Sequence, residues 1–399
     1  MTDLCLYFQI HQPYRMTKYR IFDIGSGKDY FDADKNRAVM QKVAGKCYIP
    51  ATSILLQLAK KHHGRFACAF SITGTALEQM AAYAPEALEK LQELNDTGCV
   101  EFLGETYHHS LSYLFDKKEF VDQVRLHDKK IKSVFGATPN VFRNTELVCF
   151  NELASFVETM GYKAMLAEGA DHILGWRSPN FVYRAKTAKQ LRLLLKNYRL
   201  SDDIAFRFSQ KSWEGWPLDA RKFVNWIHPV LGDSINLFMD YETFGEHQWE
   251  DTGIFEFLRH LPDEALSRGI GFKKPSDLLS VEPKDEIDMH LPVSWADIER
   301  DLSAWLGNRM QDSASARLYA LRTAVMESKK QELIEHWRRL TTSDHFYYMC
   351  TKWFNDGDVH KYFNPYDTPY ESYIAFMNIL QDMEMQCKKK EMAAEARNV

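Results

Sequence analysis

Short apolar runs alternate with longer amphipathic segments through about the first 250 residues, and this alternation constrains the fold more than any other feature. The runs are LCLYFQI (4–10), FACAFSI (66–72), VEFLGE (100–105), VFRNTEL (141–147), KAMLAEG (163–169) and INLFMDYE (235–242). Between them lie helix-patterned stretches: ATSILLQLAKKHH, the segment from Ala76 to Asn95, the segment around Phe120 to Phe135, and FNELASFVETMG with Gly161 as a C-cap. A strand–helix series of this kind predicts a parallel sheet, open or closed into a barrel. From about residue 290 the pattern becomes helical, in WADIERDLSAWLGNRMQ, SASARLYALRTAVMESKKQELIEHWRRL and YESYIAFMNILQDMEMQ. The division expected is 1–290 for the strand-bearing part and 291–399 for a helical region that completes its cleft.

Each apolar run ends in chemically capable groups: His11 and Gln12 after the first, Ser71 and Thr73 after the second, then Glu105, Glu146, and Asp240 with Glu242. In parallel barrels the carboxyl ends of the strands form one rim, so these side chains are expected to meet there. An open sheet would gather fewer of them, at its switch point. Two carboxylates at one rim supply the nucleophile and the acid/base needed to cleave a glycosidic bond. Asp240 follows INLFM, a costly place for a carboxylate without partners or a task. Its like-charged neighbour Glu242 would help raise a pKa. Glu146 also admits a purely structural reading, as an acid at a helix N-terminus. The adjacent His108 and His109 do not share a face as an i, i+4 zinc pair does, and no metal or other cofactor is expected.

The net charge of −5 provides no basic excess for nucleic acid. Seven scattered cysteines without a C-x-x-C pair read as reduced, buried thiols. No stretch approaches the roughly 18 to 20 apolar residues of a membrane span, and the N-terminus lacks a signal-peptide pattern. A cytoplasmic protein is expected. Nine tryptophans offer sugar-stacking faces, with Trp213, Trp216, Trp226, Trp295 and Trp305 as candidates, although most aromatics pack cores.

LYFQIHQPYR, FSITGTALEQM, VEFLGETYHHSL, FRNTELVCFN, FMDYETFGEHQ, SWADIERDLSAWLGN and TTSDHFYYM resemble, in order, the successive motifs of glycoside hydrolase family 57, alpha-amylase group. The resemblance covers residue 4 to about 353. It implies a distorted seven-stranded (β/α) barrel followed by a helical domain, and a retaining hydrolase of α-1,4-glucans or maltooligosaccharides. By motif position Glu146 matches the nucleophile and Asp240 the general acid/base. His11, Glu105, Glu242 and Asp344 match binding or supporting positions, while Tyr347 falls where some relatives carry Trp. Trp216 and Trp295 are added as candidate sugar platforms. The same catalytic pair would serve a 4-α-glucanotransferase or branching enzyme, and a weakly active glucan-binding protein is a further alternative. A metal-dependent deacetylase would need a His/Asp metal set that the sequence does not assemble.

Overall fold

The computed structural model describes residues 1–352 and 364–395. Among the described residues nine strands occur in chain order: β1 (Asp3–Ile10), β2 (Cys68–Ile72), β3 (Val100–Phe102), β4 (Val141–Arg143), β5 (Ala164–Glu168), β6 (Tyr183–Ala185), β7 (Arg192–Lys196), β8 (Ser234–Asp240) and β9 (Glu286–Ile287). They pair as a four-stranded sheet, β3-β2-β1-β8, and a five-stranded sheet, β4-β5-β7-β6-β9. All pairs in the first sheet are parallel. In the second, β4-β5-β7 is parallel and β6 runs against β7. Backbone bonds also cross between the sheets: Gly104 N–H donates to Val141 O at 2.9 Å, Arg143 N–H to Gly104 O at 2.8 Å, and Asn197 N–H to Asn236 O at 2.9 Å. The Asn236 amide adds a bond to Leu195 O at 2.9 Å.

Side-chain alternation with a period of two assigns each strand an inner and an outer face. Leu4, Leu6, Phe8 and Ile10 of β1 pack outward against helices Ile49–His62, Gly74–Tyr83 and Ile254–Ser267. Cys5 and Tyr7 turn inward and join Ala69, Leu103, Val141, Leu166, Leu194 and Phe238 in a buried apolar cluster. Two residues further along each strand, the inward position becomes polar: Gln9, Ser71, Glu105, Arg143, Glu168, Lys196 and Asp240. The apolar cluster is thus a plug, and the polar layer above it forms the floor of the site.

Helix ends follow local chemistry. Asp116 caps Lys117–Phe135 by accepting from Glu119 N–H at 2.9 Å, and Gly136 closes it in the left-handed region at φ 70°. The single amphipathic segment expected from Ala76 to Asn95 is instead two helices, Gly74–Tyr83 and Pro85–Asp96. Pro85 forces the break, because the residue before a proline is driven out of the helical region, and Ala84 sits at φ −149°, ψ 56°.

The described residues from Ser303 onward are mostly helical, around a second core that includes Trp305, Leu318, Trp337 and Phe376. The stretch 295–302, expected to begin a helix, is a loop in which Asp297 and Arg300 adopt positive φ. Tertiary bonds override helical pattern here, since Trp295 N–H donates to Glu146 O at 3.1 Å. The helical region is stitched to the rim by Ser343 N–H donating to His109 O at 2.9 Å and Thr342 Oγ1 donating to His108 O at 2.8 Å. All seven cysteines are buried and unbridged.

Candidate active site

A cavity of about 160 Å³ opens above the polar floor. Glu146 and Asp240 both line it, although one follows β4 and the other ends β8. His11, Glu242, Trp295, Asp344 and Tyr347 also line it. Two expected residues stand elsewhere. Glu105 is fully buried one layer down, and Trp216 lies outside the lining, 42% exposed.

Glu146 is 2% exposed and occupies a short 3-10 turn, Thr145–Leu147. It has φ 58°, ψ 24°, and Leu147 follows at φ 51°. Two successive left-handed non-glycine residues cost on the order of 1–3 kcal/mol each, so surrounding bonds must hold this turn. They do so through the carboxylate. Oε1 receives Ser343 Oγ–H at 3.1 Å and faces His109 Nε2 at 3.2 Å, while Oε2 receives the Trp295 indole N–H at 2.8 Å. The Trp295 ring in turn lies 4.8 Å from the Arg143 guanidinium and 5.4 Å from Lys196 Nζ.

On the β8 side, Glu242 follows Asp240 in the turn Tyr241–Thr243. Its Oε1 accepts from Tyr48 O–H at 2.5 Å and from the Gln12 amide at 3.3 Å. Burial first, and then the charge of Asp240, push its pKa up to about 8. A neutral acid beside an ionisable one is the arrangement that two close carboxyls reach in a dry site.

His11 Nε2 bonds Asp344 Oδ2 at 3.0 Å and its Nδ1 bonds Thr73 Oγ1 at 3.0 Å. Burial and the nearby His109 lower its pKa to about 4, despite Asp344. Glu105 anchors the floor: Ser71 donates to its Oε1 at 2.5 Å, and His109 Nδ1 lies 3.4 Å from Oε2. Tyr347 is 9% exposed, with Trp305 packed behind it at 6.5 Å between centroids. The remaining tryptophan candidates are packing residues, with Trp213 against Trp226 at 5.9 Å and Trp305 fully buried.

In the sequence His109 is weighed only as a metal ligand, a role set aside there, and Arg143, Lys196 and Ser343 are not singled out. For Arg143 and Lys196 a signal existed, because each stands two residues beyond an inward apolar residue of its strand. Ser343 gave none beyond its place beside Asp344.

The chain's architecture is that of an α/β enzyme with parallel strands and an acid-lined site at their carboxyl ends. The model for Glycosyl hydrolase family 57 matches residues 5–291. A Methanocaldococcus jannaschii protein bearing the name "Putative alpha-amylase" is 42% identical over 397 residues, covering 96% of this chain and 84% of its own. The branching enzyme of Pyrococcus horikoshii superposes with a TM-score of 0.67 at 15% identity, over 96% of this chain and 88% of that one. The 4-alpha-glucanotransferase of Thermococcus litoralis gives 0.64 at 14% identity, over 86% of this chain and 56% of that longer one. The chain belongs to glycosyl hydrolase family 57 and is a glycoside hydrolase.

Proposed function

We propose that the enzyme cleaves α-1,4-glucans with retention, Glu146 being the nucleophile and Asp240 the general acid/base. The observation that carries this reading is that two carboxylates from separate strands line one cavity, with both oxygens of Glu146 held by hydrogen-bond partners. In the first step Asp240 protonates the glycosidic oxygen as the Glu146 carboxylate bonds to the anomeric carbon and the C–O bond to the leaving sugar breaks. Asp240, now ionised, takes a proton from water. The resulting hydroxide attacks the anomeric carbon and expels Glu146 as carboxylate. His11, Glu242, Asp344, Tyr347 and Trp295 would bind or frame the sugar at the scissile bond, with Glu105 supporting them from below.

The two sheets read as one distorted barrel of seven strands, β1, β2, β3, β4, β5, β7 and β8. The cross-sheet bonds at Gly104 and Asn236 support its two seams. On this reading the barrel spans 1–290, and 291–399 forms a helical domain that contributes Ser343, Asp344 and Tyr347 to the cleft. The substrate class is glycogen, starch or a maltooligosaccharide, met in the cytoplasm.

A mechanism-based 5-fluoro-α-glucosyl fluoride tests the assignment. Peptide mapping is expected to place the trapped sugar on Glu146, and labelling of another residue would overturn it. The fold likeness to a branching enzyme and a glucanotransferase supports a second reading, in which a sugar hydroxyl replaces water in the second step. Maltoheptaose decides: products longer than the substrate mean transfer, and only shorter ones mean hydrolysis.

A further inference from the structure

The row Glu105, His109, Glu146 carries more than shape. Both ring nitrogens of His109 face carboxylate oxygens, Nδ1 3.4 Å from Glu105 Oε2 and Nε2 3.2 Å from Glu146 Oε1. All three side chains are buried. A neutral imidazole has one N–H and would turn a lone pair towards one of the two anions, whereas an imidazolium donates to both. The neighbours on every side bear on that choice. His11 stacks on the ring at 4.0 Å and 20°, and burial and the His109 charge hold it well below the ordinary imidazole range. Its Nε2 faces Asp344 Oδ2 at 3.0 Å, and its Nδ1 faces Thr73 Oγ1 at 3.0 Å, a hydroxyl that also accepts from Ala76 N–H and bonds Thr75 Oγ1. His127, 4.0 Å from Glu105, accepts Glu105 N–H at Nδ1 and donates from Nε2 to Ile72 O. Arg143, whose guanidinium makes no hydrogen bond among the described residues, opposes a second positive charge. Desolvation opposes it too. The bonds to Glu105 and Glu146 outweigh both and raise His109 to about 9, while the same bonds keep Glu105 below the ordinary carboxylate range despite its burial.

We propose that His109 is an imidazolium clamped between Glu105 and Glu146, a positioning residue that keeps Glu146 ionised and favours its departure from the glycosyl-enzyme. The inference rests on Glu146 being the nucleophile. Its consequence is asymmetric. A fixed positive charge stabilises the carboxylate, the form that attacks in the first step and leaves in the second, so it aids release more than attack.

Nitrogen NMR of histidine-labelled enzyme reads the ring directly and needs no substitution. Two protonated nitrogens at pH 7 are expected for His109, and a neutral single-tautomer signal would overturn the proposal. Kinetics supply the second measurement. In H109Q the acid limb of kcat/KM should move up by about one pH unit or more. Its covalent intermediate should also accumulate in a pre-steady-state burst absent from the wild type. An E146Q preparation that still cleaves glucan would remove the reading of Glu146 itself. Inactive E146Q together with an unmoved acid limb in a folded H109Q would leave that reading standing and reject the role given to His109.

Discussion

Glu242 carries a pH dependence of stability that one substitution can isolate. In the native protein its proton is retained to about 8, against 4.5 for the exposed group. Between those values the native state binds more protons than the unfolded chain, so the contribution of Glu242 to stability falls as pH rises and is fully lost above about 8. One pKa unit corresponds to about 1.36 kcal/mol, which sets a ceiling of roughly 5 kcal/mol; structural relaxation around a buried charge reduces this, and about 1–3 kcal/mol is expected. Gln is an isostere of the neutral acid here. Its carbonyl can accept from Tyr48 and Gln12 as Oε1 does, and its amide replaces the carboxyl O–H. Urea unfolding of wild type and E242Q at pH 5 should therefore give nearly equal stabilities. At pH 9 the variant should be the more stable by that margin. His109 contributes in the same direction, with stabilisation complete below about 6.5 and lost as pH rises through about 9, but it is present in both proteins and cancels in the difference. Stability curves that run parallel from pH 5 to pH 9 would refute the reasoning.

Trp295→Phe removes the 2.8 Å indole bond to Glu146 Oε2 while keeping an aromatic ring beside Arg143. A hydrogen bond to a charged group is worth about 1.5–3 kcal/mol, so kcat/KM should fall roughly 10- to 100-fold, with a loss of about 1–3 kcal/mol in unfolding free energy because the same bond helps hold the Glu146 turn. Gly245→Ala tests backbone strain: Gly245 lies at φ 115°, and a Cβ there would meet Lys46 O at 2.0 Å. A loss of about 2–4 kcal/mol in denaturant unfolding is expected, with weakened activity because His247 of the same turn lines the cavity. Trp249, 53% exposed with Lys46 Nζ 4.9 Å from its ring, stands two residues beyond His247. Trp249→Ala should raise KM for soluble starch several-fold, on the order of the 1 kcal/mol of one stacking contact, while hydrolysis of maltotriose stays unchanged.

Continuous apolar runs made most strands legible, because inward and outward positions are both apolar below the rim and the runs end where the floor turns polar. They failed where a strand's last inward residue is charged. Arg143 sits inside FRN, and Glu168 closes KAMLAEG beside a glycine that looked like punctuation. β6 and β9, of three and two residues, offered too little pattern to find, and β7, RLLLK, was also missed, its three leucines standing between two cations. The loop at 295–302 escaped for another reason: its conformation is set by Glu146, about 150 residues away in the chain, and no window of local propensity contains that partner.

The carboxylates themselves were easier to find than their charge states. Polar residues after apolar runs mark a rim, but which of them holds a proton depends on who faces whom across it. Glu242 is pushed up by burial and Asp240, and His11 is pushed down by burial and by the ring of His109. The pairings of His11 join residues that follow different strands, and Glu242 and Asp240 share the end of β8. The sequence order therefore carries the list of reacting groups, while the packing of the two sheets and the turns that follow their strands assigns their protons. A substitution that leaves every catalytic group in place but shifts the floor should change the pH profile before it changes the fold. Ser71→Ala is such a change, since it removes the 2.5 Å bond to Glu105 from a buried position without adding volume. It should leave Glu105 a stronger acceptor for His109 and move the alkaline limb of kcat/KM to higher pH, with the unfolding free energy in urea falling by no more than the about 1–3 kcal/mol of one lost bond to a carboxylate. An alkaline limb that stays in place in S71A would show that the floor does not set the protons of the rim.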